Sequence, residues 1–222
     1  VMQFPARSFI KFMNNHKLLD FTGRPVWRTV SGGSQKYVSK IIQELGSNAR
    51  CNISIEKIQR LQQGAMIHIE DEEPEFFDKV ILATHANDSL NLLSDASDEE
   101  YGILSQFSFQ ENKVILHSQS SYMPKRRATW SAWNYISNTS KHAELCVTYW
   151  MNKLQSLPEK FPLFVTLNPF KDYPIKKPLR EFTYFHPVYI QKAIDAQNQL
   201  RAIQGPSHTY FCAARTRYGF HE

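Results

Sequence analysis

Cysteine is sparse in this chain of 222 residues: Cys51, Cys146 and Cys212 stand alone, without CxxC spacing. A disulfide framework and a zinc site are therefore not expected, and a reducing, cytoplasmic setting is the simpler inference. Apolar runs are short. None approaches the roughly 18 residues needed to cross a bilayer, and the opening residues lack the charged-then-apolar layout of a signal peptide. The 8 glycines form no GxGxxG turn and no G-x-S-x-G elbow, which leaves hydrolase chemistry of the elbow type without support. Repeats and low-complexity tracts are absent, as are RNP, zinc-finger and helix-turn-helix patterns.

What is present suits a globular protein. Hydrophobic residues make up 42% of the chain and aromatics 13%, ample for the core of one or two domains. A formal net charge of +5 and a pI near 9.0 suit an anionic partner such as a dinucleotide phosphate, a lipid headgroup or a nucleic acid. The basic residues are mostly scattered. Lys125-Arg126-Arg127 and Lys176-Lys177 are the densest groups, and both lie beside prolines and read as solvated loop charge.

Between Val26 and Leu45 the stretch VWRTVSGGSQKYVSKIIQEL opens a helix with a Gly32-Gly33 turn. Tyr37, Val38, Ile41, Ile42 and Leu45 share one helical face, Ser31 and Ser34 are cap candidates, and Gly46 stands at the expected stop. The glycine pair has two readings: an ordinary tight helix start, or backbone that approaches a bound group while the helix N-terminus faces an anion. Ile53 and Ile55 alternate, Ile58 and Leu61 follow, and Met66, Ile67 and Ile69 lead into the acidic turn Asp71-Glu72-Glu73-Pro74, a pattern that predicts a strand, a hairpin and a return. Asp78 to Thr84 is a short apolar run of the kind buried in a parallel sheet, and its small final residues leave room for a ligand at the strand's carboxyl end. Lys113 to His117, Ala128 to Tyr135, Leu145 to Trp150 and Leu163 to Leu167 read as strands. Pro187 to Gln204 holds a helix, with Ile190, Ile194, Gln197 and Arg201 at helical spacing before Gly205-Pro206.

The order of these pieces resembles the flavin-containing amine oxidase superfamily, in particular its NAD/FAD-binding amine-oxidase-like branch, to which the N-terminal module of plant cyclopropane fatty acid synthases is related. The segments that carry the resemblance are RPVWRTVSGGSQKYV, FDKVILATHANDSLNLL, ENKVILHSQSSYMPKRRATWSAWNY, VTYWMNKLQSL, FVTLNP and YFCAARTRYGFHE, spread over nearly the whole chain. It implies an α/β (α+β mixed) fold with two parts. Residues 31–93 and 207–222 would form a partial FAD-binding, Rossmann-like domain lacking its first βαβ unit, and residues 1–30 and 94–206 a substrate domain with an open mixed sheet and helices. Members of the superfamily begin with a GxGxxG strand-turn-helix that holds the FAD pyrophosphate. The resemblance therefore implies a member shortened at both ends.

Position by position, Gly32, Gly33 and Ser34 match the turn near the FAD, and Ala83 and Thr84 match the end of the strand that passes the dinucleotide. Ile58 matches a strand residue whose backbone pairs with adenine, a core position being the other reading, and Gly219, Phe220 and His221 match the backbone that faces the pyrimidine edge of the flavin. His85 replaces a proline or glycine, Gln35 an arginine, and Ala213 and Arg217 glycines; the last three changes imply relaxed cofactor binding. Trp130, Trp133, Asn134 and Tyr135 are the candidates for a substrate cavity, with a packed aromatic sheet face as the other reading of the two tryptophans. No catalytic side chain and no metal site is assigned, and His117 and His186 read as structural histidines.

The function implied is FAD-dependent oxidation, with hydride transfer from an amine or apolar small molecule, FAD binding that is weak or absent in this chain alone, and association with a cyclopropane-synthase-like methyltransferase. A non-catalytic remnant acting as a binding or interaction module is the alternative. A basic nucleic-acid-binding protein is a third class, not expected in the absence of its motifs.

Overall fold

The computed structural model describes residues 5–23, 25–26, 28–137 and 145–213. In chain order they form α1 (Ala6–Asn15), α2 (Gln35–Leu45), β1 (Ile55–Leu61), β2 (Gly64–Ile69), β3 (Glu75–Phe77), β4 (Val80–Leu82), α3 (Ala86–Leu92), α4 (Asp98–Leu104) and β5 (Phe109–His117). There follow β6 (Trp133–Ser137), β7 (Leu145–Trp150), α5 (Met151–Leu154), β8 (Phe164–Leu167), β9 (Pro178–Pro187), α6 (Gln191–Gln199) and β10 (Thr209–Phe211). The class is mixed α/β, and the elements pack as two units. One draws on Val1–Pro25, Arg50–Gln110 and Pro187–Glu222, the other on Val26–Ala49 and Glu111–His186. These packing bounds differ from the division expected from the sequence, with residues 31–93 and 207–222 as one part: α2 packs in the second unit, and α1, α4 and α6 pack in the first with β1 to β4.

In the first unit β1, β2 and β3 form an antiparallel meander, with Ile58 opposite Ile67 and Ala65 opposite Phe77. β4 pairs in parallel with β10, Ile81 beside Tyr210. Ile58, Ala65, Val80, Leu82, Leu104 and Phe211 lie in one buried cluster that also takes in the inner faces of α3, α4 and α6. Each large apolar side chain fully buried there contributes about 1.5 to 3 kcal/mol. Ile81, in contrast, is 68% exposed, so the run ending at Thr84 is covered on one face only. An ion pair fastens β1 to the start of α4. Arg60 makes a two-pronged contact with Glu100, one prong at 2.9 Å, and reaches Asp95 at 3.0 Å. Ser97 and Glu100 form a capping box at the same helix end.

The second unit is built on a sheet of five strands in the order β6-β7-β8-β5-β9. The pairs β6–β7, β7–β8 and β8–β5 are antiparallel: Trp133 faces Tyr149, Tyr149 faces Val165, and Val165 faces Leu116. Side chains alternate between sheet faces, which puts Cys146, Thr148, Trp150, Phe164, Thr166, Ile115 and His117 together on the buried face. There His117 Nε2 lies 2.7 Å from the Thr166 hydroxyl, which lies 2.9 Å from that of Thr148. The Gln119 N–H donates to His117 Nδ1 at 3.2 Å, so the ring carries its proton on Nε2 and donates it to Thr166. This is a satisfied structural histidine.

Most of the expected elements are present, with local corrections. α2 ends at Gly46, whose φ is 57°, but Ser34 stands at its N-cap without a side-chain hydrogen bond, and no residue of the helix is buried. The strand expected from Ala128 begins only at Trp133. Before it, Thr129 and Trp130 donate backbone N–H groups to the carbonyls of Arg126 and Arg127, and the Trp130 indole donates to the Pro124 carbonyl at 2.7 Å, which closes a turn where a strand would have to run straight.

Candidate functional site

The face of the five-stranded sheet opposite His117 carries exposed aromatic side chains on its two edge strands, β6 and β9, while Asn112 and Val114 of β5 on the same face are buried. Trp133 is 46% and Tyr135 64% exposed, and Trp133 meets Tyr149 edge to face at 5.9 Å. Two contacts fix how β9 joins this face. Lys113 pairs with Glu181 at 2.8 Å, while Asn112 meets His186 Nδ1 at 2.9 Å. Lys113 belongs to the face of Ile115 and His117, so Glu181 does too. Asn112 belongs to the face of Val114 and Leu116, which places Arg180, Phe182, Tyr184 and His186 on the same side as Trp133 and Tyr135. Phe182 and Tyr184 stack there with centroids 5.7 Å apart. The Asn168 amide donates to the Asn112 carbonyl oxygen at 2.8 Å, so Asn112 turns its NH2 to His186 Nδ1 and the proton of that ring sits on Nε2.

The expected cavity residues do not all gather here. Asn134 points to the opposite face and is 5% exposed, with its amide held by the Ser131 N–H and carbonyl and the Thr148 carbonyl. Trp130 packs edge to face on Trp150 at 5.3 Å and on Phe164 at 5.8 Å, under the Arg127 guanidinium at 4.2 Å. It belongs beside the buried cluster of Met123, Trp150 and Phe164.

The expected cofactor positions are spread over both units. Gly32 and Gly33 have φ of 84° and 83°, in the left-handed region that favours glycine. The Gly33 N–H donates to the Val30 carbonyl at 2.9 Å, closing a tight turn before α2. No acidic residue stands in the helix's first turn, and the Ser34 side chain makes no capping hydrogen bond to it. In the first unit the Ile58 carbonyl accepts both the N–H and the hydroxyl of Ser94, each at 3.1 Å. Both its lone pairs are used. Ala83 and Thr84 are exposed just beyond β4, the Thr84 hydroxyl lying 2.9 Å from that of Ser89, and His85 stacks on Phe109 at 4.2 Å. Gly219, Phe220 and His221, with Arg217, lie outside the described residues. Among the described residues no group of three or more His, Cys, Asp or Glu could hold a metal, and no helix is long and apolar enough to cross a membrane. The three cysteines are free, and burial pushes the Cys146 thiol up to about 11.

Solved structures share this fold. The CLA-producing fatty acid isomerase from P. acnes superposes with a TM-score of 0.58 at 18% identity over 85% of this chain and 48% of its own. A triple mutant of putrescine oxidase, made in a redesign of cofactor binding, gives 0.56 at 10% identity over 85% and 48%. Cyclohexylamine oxidase from Brevibacterium oxydans gives 0.52 at 8% over 85% and 49%. This chain thus spans about half the length of the enzymes it superposes on. No family model and no curated protein sequence matches it.

Sequence reasoning did not single out Arg180, Phe182, Tyr184 or Tyr149 as site residues. The signal for β9 was available, since Leu179 to His186 is an aromatic-rich run bounded by prolines. Which of its two alternating sets faces Trp133 is decided only by the contacts with β5.

Proposed function

We propose that this chain forms the substrate-binding face and part of the cofactor domain of an FAD-dependent oxidoreductase of the amine-oxidase kind. The observation that carries this reading is the set of exposed aromatic side chains on one sheet face, Trp133 and Tyr135 on one edge strand and Phe182 and Tyr184 on the other, on a fold that superposes on two oxidases. When bound, the flavin supplies the hydride acceptor. The protein's own task is then to position an apolar body and keep water from it, work that a broad aromatic face can do without an acid–base pair.

Residues 31–93 and 207–222 serve the cofactor in this reading, and residues 1–30 and 94–206 the substrate. The Gly32-Gly33-Ser34 turn suits an anionic group, because its backbone takes up the positive φ that a close approach needs and the helix end behind it is uncapped. Ala83 and Thr84, small and exposed at the carboxyl end of a parallel strand, suit the passage of a dinucleotide. The Ile58 carbonyl does not suit a contact with the adenine amino group, its acceptor capacity being taken by Ser94. Association with a methyltransferase rests on the sequence resemblance alone.

The natural polypeptide that carries this chain is expected to take up FAD, to absorb near about 450 nm and to bleach anaerobically on addition of substrate. Failure to take up FAD overturns the proposal. The 222-residue chain by itself is expected to bind FAD weakly, since it contains no GxGxxG turn. Several missing phosphate contacts at about 1.5 to 3 kcal/mol each lower affinity by orders of magnitude.

A further inference from the structure

Two basic groups that read in the sequence as separate solvated loops are brought to one end of the five-stranded sheet. His117 pairs with Phe164 and Phe164 with Trp150, so β5 ends where β7 ends and β8 begins. The Lys176 N–H donates to the Gln119 side-chain oxygen at 3.2 Å, which brings the approach to β9 to the same end. Lys125, Arg126 and Arg127 follow β5 there. Arg127 lies over the Trp130 and Trp150 rings and pairs with Glu159 at 2.7 Å, tying its loop to the β7–β8 connection. The rim so formed exposes Lys125, Arg126, Lys153, Lys160, Lys176 and Lys177, and none of the six makes an ion pair among the described residues. Glu159, already held by Arg127, is the one acidic residue in the loops 118–132 and 151–163. The unit shares this sign: Val26–Ala49 and Glu111–His186 hold 14 of the chain's 26 basic side chains but 6 of its 21 acidic ones, so the other unit is net negative.

Between the lysines the rim displays apolar side chains on a loop that the core holds in place. Asn152, 3% exposed, donates its amide N–H groups to the Pro158 and Phe161 carbonyls at 2.9 and 2.8 Å and accepts the Leu163 N–H at 2.7 Å. The loop so clasped keeps Leu157 40% and Phe161 67% exposed, with the Lys160 ammonium 5.0 Å from the centre of the Phe161 ring. Apolar side chains presented among unpaired cations match a surface that is negatively charged outside and apolar just beneath.

We propose that this rim docks on a membrane surface rich in anionic lipid, its cations over the headgroups and Phe161 and Leu157 at the boundary with the acyl chains. A single-stranded nucleic acid suits it less. Bases need a series of open rings on which to stack, whereas Trp130 and Trp150 pack with the buried cluster of Met123 and Phe164 and Leu157 has no ring.

The test follows sedimentation of the 222-residue chain with vesicles of phosphatidylcholine alone or with about 30% phosphatidylserine. The chain is expected to bind the anionic vesicles at least about tenfold more tightly. That advantage should fade as salt rises from about 0.1 to about 1 M and the screening length falls from about 10 to about 3 Å. The double variants Lys125→Gln with Arg126→Gln and Lys176→Gln with Lys177→Gln, on separate loops, are each expected to weaken binding about tenfold or more at an unchanged melting temperature. Phe161→Ser is expected to weaken it at every salt concentration. Equal binding to the two kinds of vesicle overturns the proposal, as does anionic-vesicle binding that both double variants retain. Binding to a single-stranded oligonucleotide that is tighter than to the anionic vesicles overturns it too and assigns the rim to nucleic acid. None of these readouts involves flavin, so their outcome is separate from that of FAD uptake.

Discussion

At the scale of the residue, the most consequential group for stability is the ion pair of Arg60 and Glu100, whose side chains are each only 4% exposed. Burial by itself pushes the Glu100 carboxyl up, but the Arg60 hydrogen bonds and the Ser97 N–H outweigh it and hold the group below its ordinary value of 4.5. A depressed carboxyl contributes stability that is fully present above 4.5 and is lost as pH falls through the folded-state value. Arg60→Ala leaves a buried carboxylate without its partner, and an expected loss of about 3 to 5 kcal/mol would be read in urea unfolding at neutral pH. The aromatic face makes the opposite prediction. Trp133 is nearly half exposed, so Trp133→Ala should cost clearly less than the roughly 3 to 5 kcal/mol of a buried tryptophan, and Tyr135→Phe should leave the melting temperature nearly unchanged. A full core-sized loss at Trp133 would assign this face to packing.

At the scale of the element, backbone geometry separates glycines that look alike in sequence. Gly64 closes the β1–β2 hairpin at a φ of 153°, and a Cβ there would collide with the Phe77 carbonyl oxygen and lie 2.7 Å from Phe76 Cζ. Gly64→Ala is expected to cost about 1 to 3 kcal/mol through backbone strain and displacement of β3. Wild-type thermal stability in that variant would refute the hairpin geometry. Gly33 is different: a Cβ meets only Gln155 Oε1 at 3.7 Å, so the demand for glycine comes from its φ of 83°. α2 was legible because its apolar residues recur every three or four positions and Gly46 ends it. The segment before Trp133 was misread as strand because its aromatic content suits a sheet, while the hydrogen bonds that turn it back lie with Pro124, Arg126 and Arg127.

At the scale of the whole molecule, the buried network of the second unit gives a pH dependence that can be measured. His117 is fully buried and held neutral, and desolvation lowers its pKa from 6.5. A lowered histidine contributes stability that is intact above 6.5 and declines as pH falls below it, because the unfolded chain then takes up a proton that the folded one resists. His117→Gln is expected to flatten the melting-temperature curve over that range. Parallel curves for the two proteins would show that His117 protonates without cost.

The sequence by itself determined the class of the fold, the α2 helix, the β1–β2 hairpin and the strands β5, β7 and β8, because periodicity and turn residues act over a few positions of the chain. Tertiary structure alone decided which side of each strand is open. Trp133 and Tyr135 share one face and are exposed while Asn134, between them, turns inward, and Arg180 joins the face of Trp133 through contacts of Asn112 with His186 and Lys113 with Glu181. Strand alternation offers two equivalent sets of side chains, and only the neighbouring strand and the core beneath it choose between them.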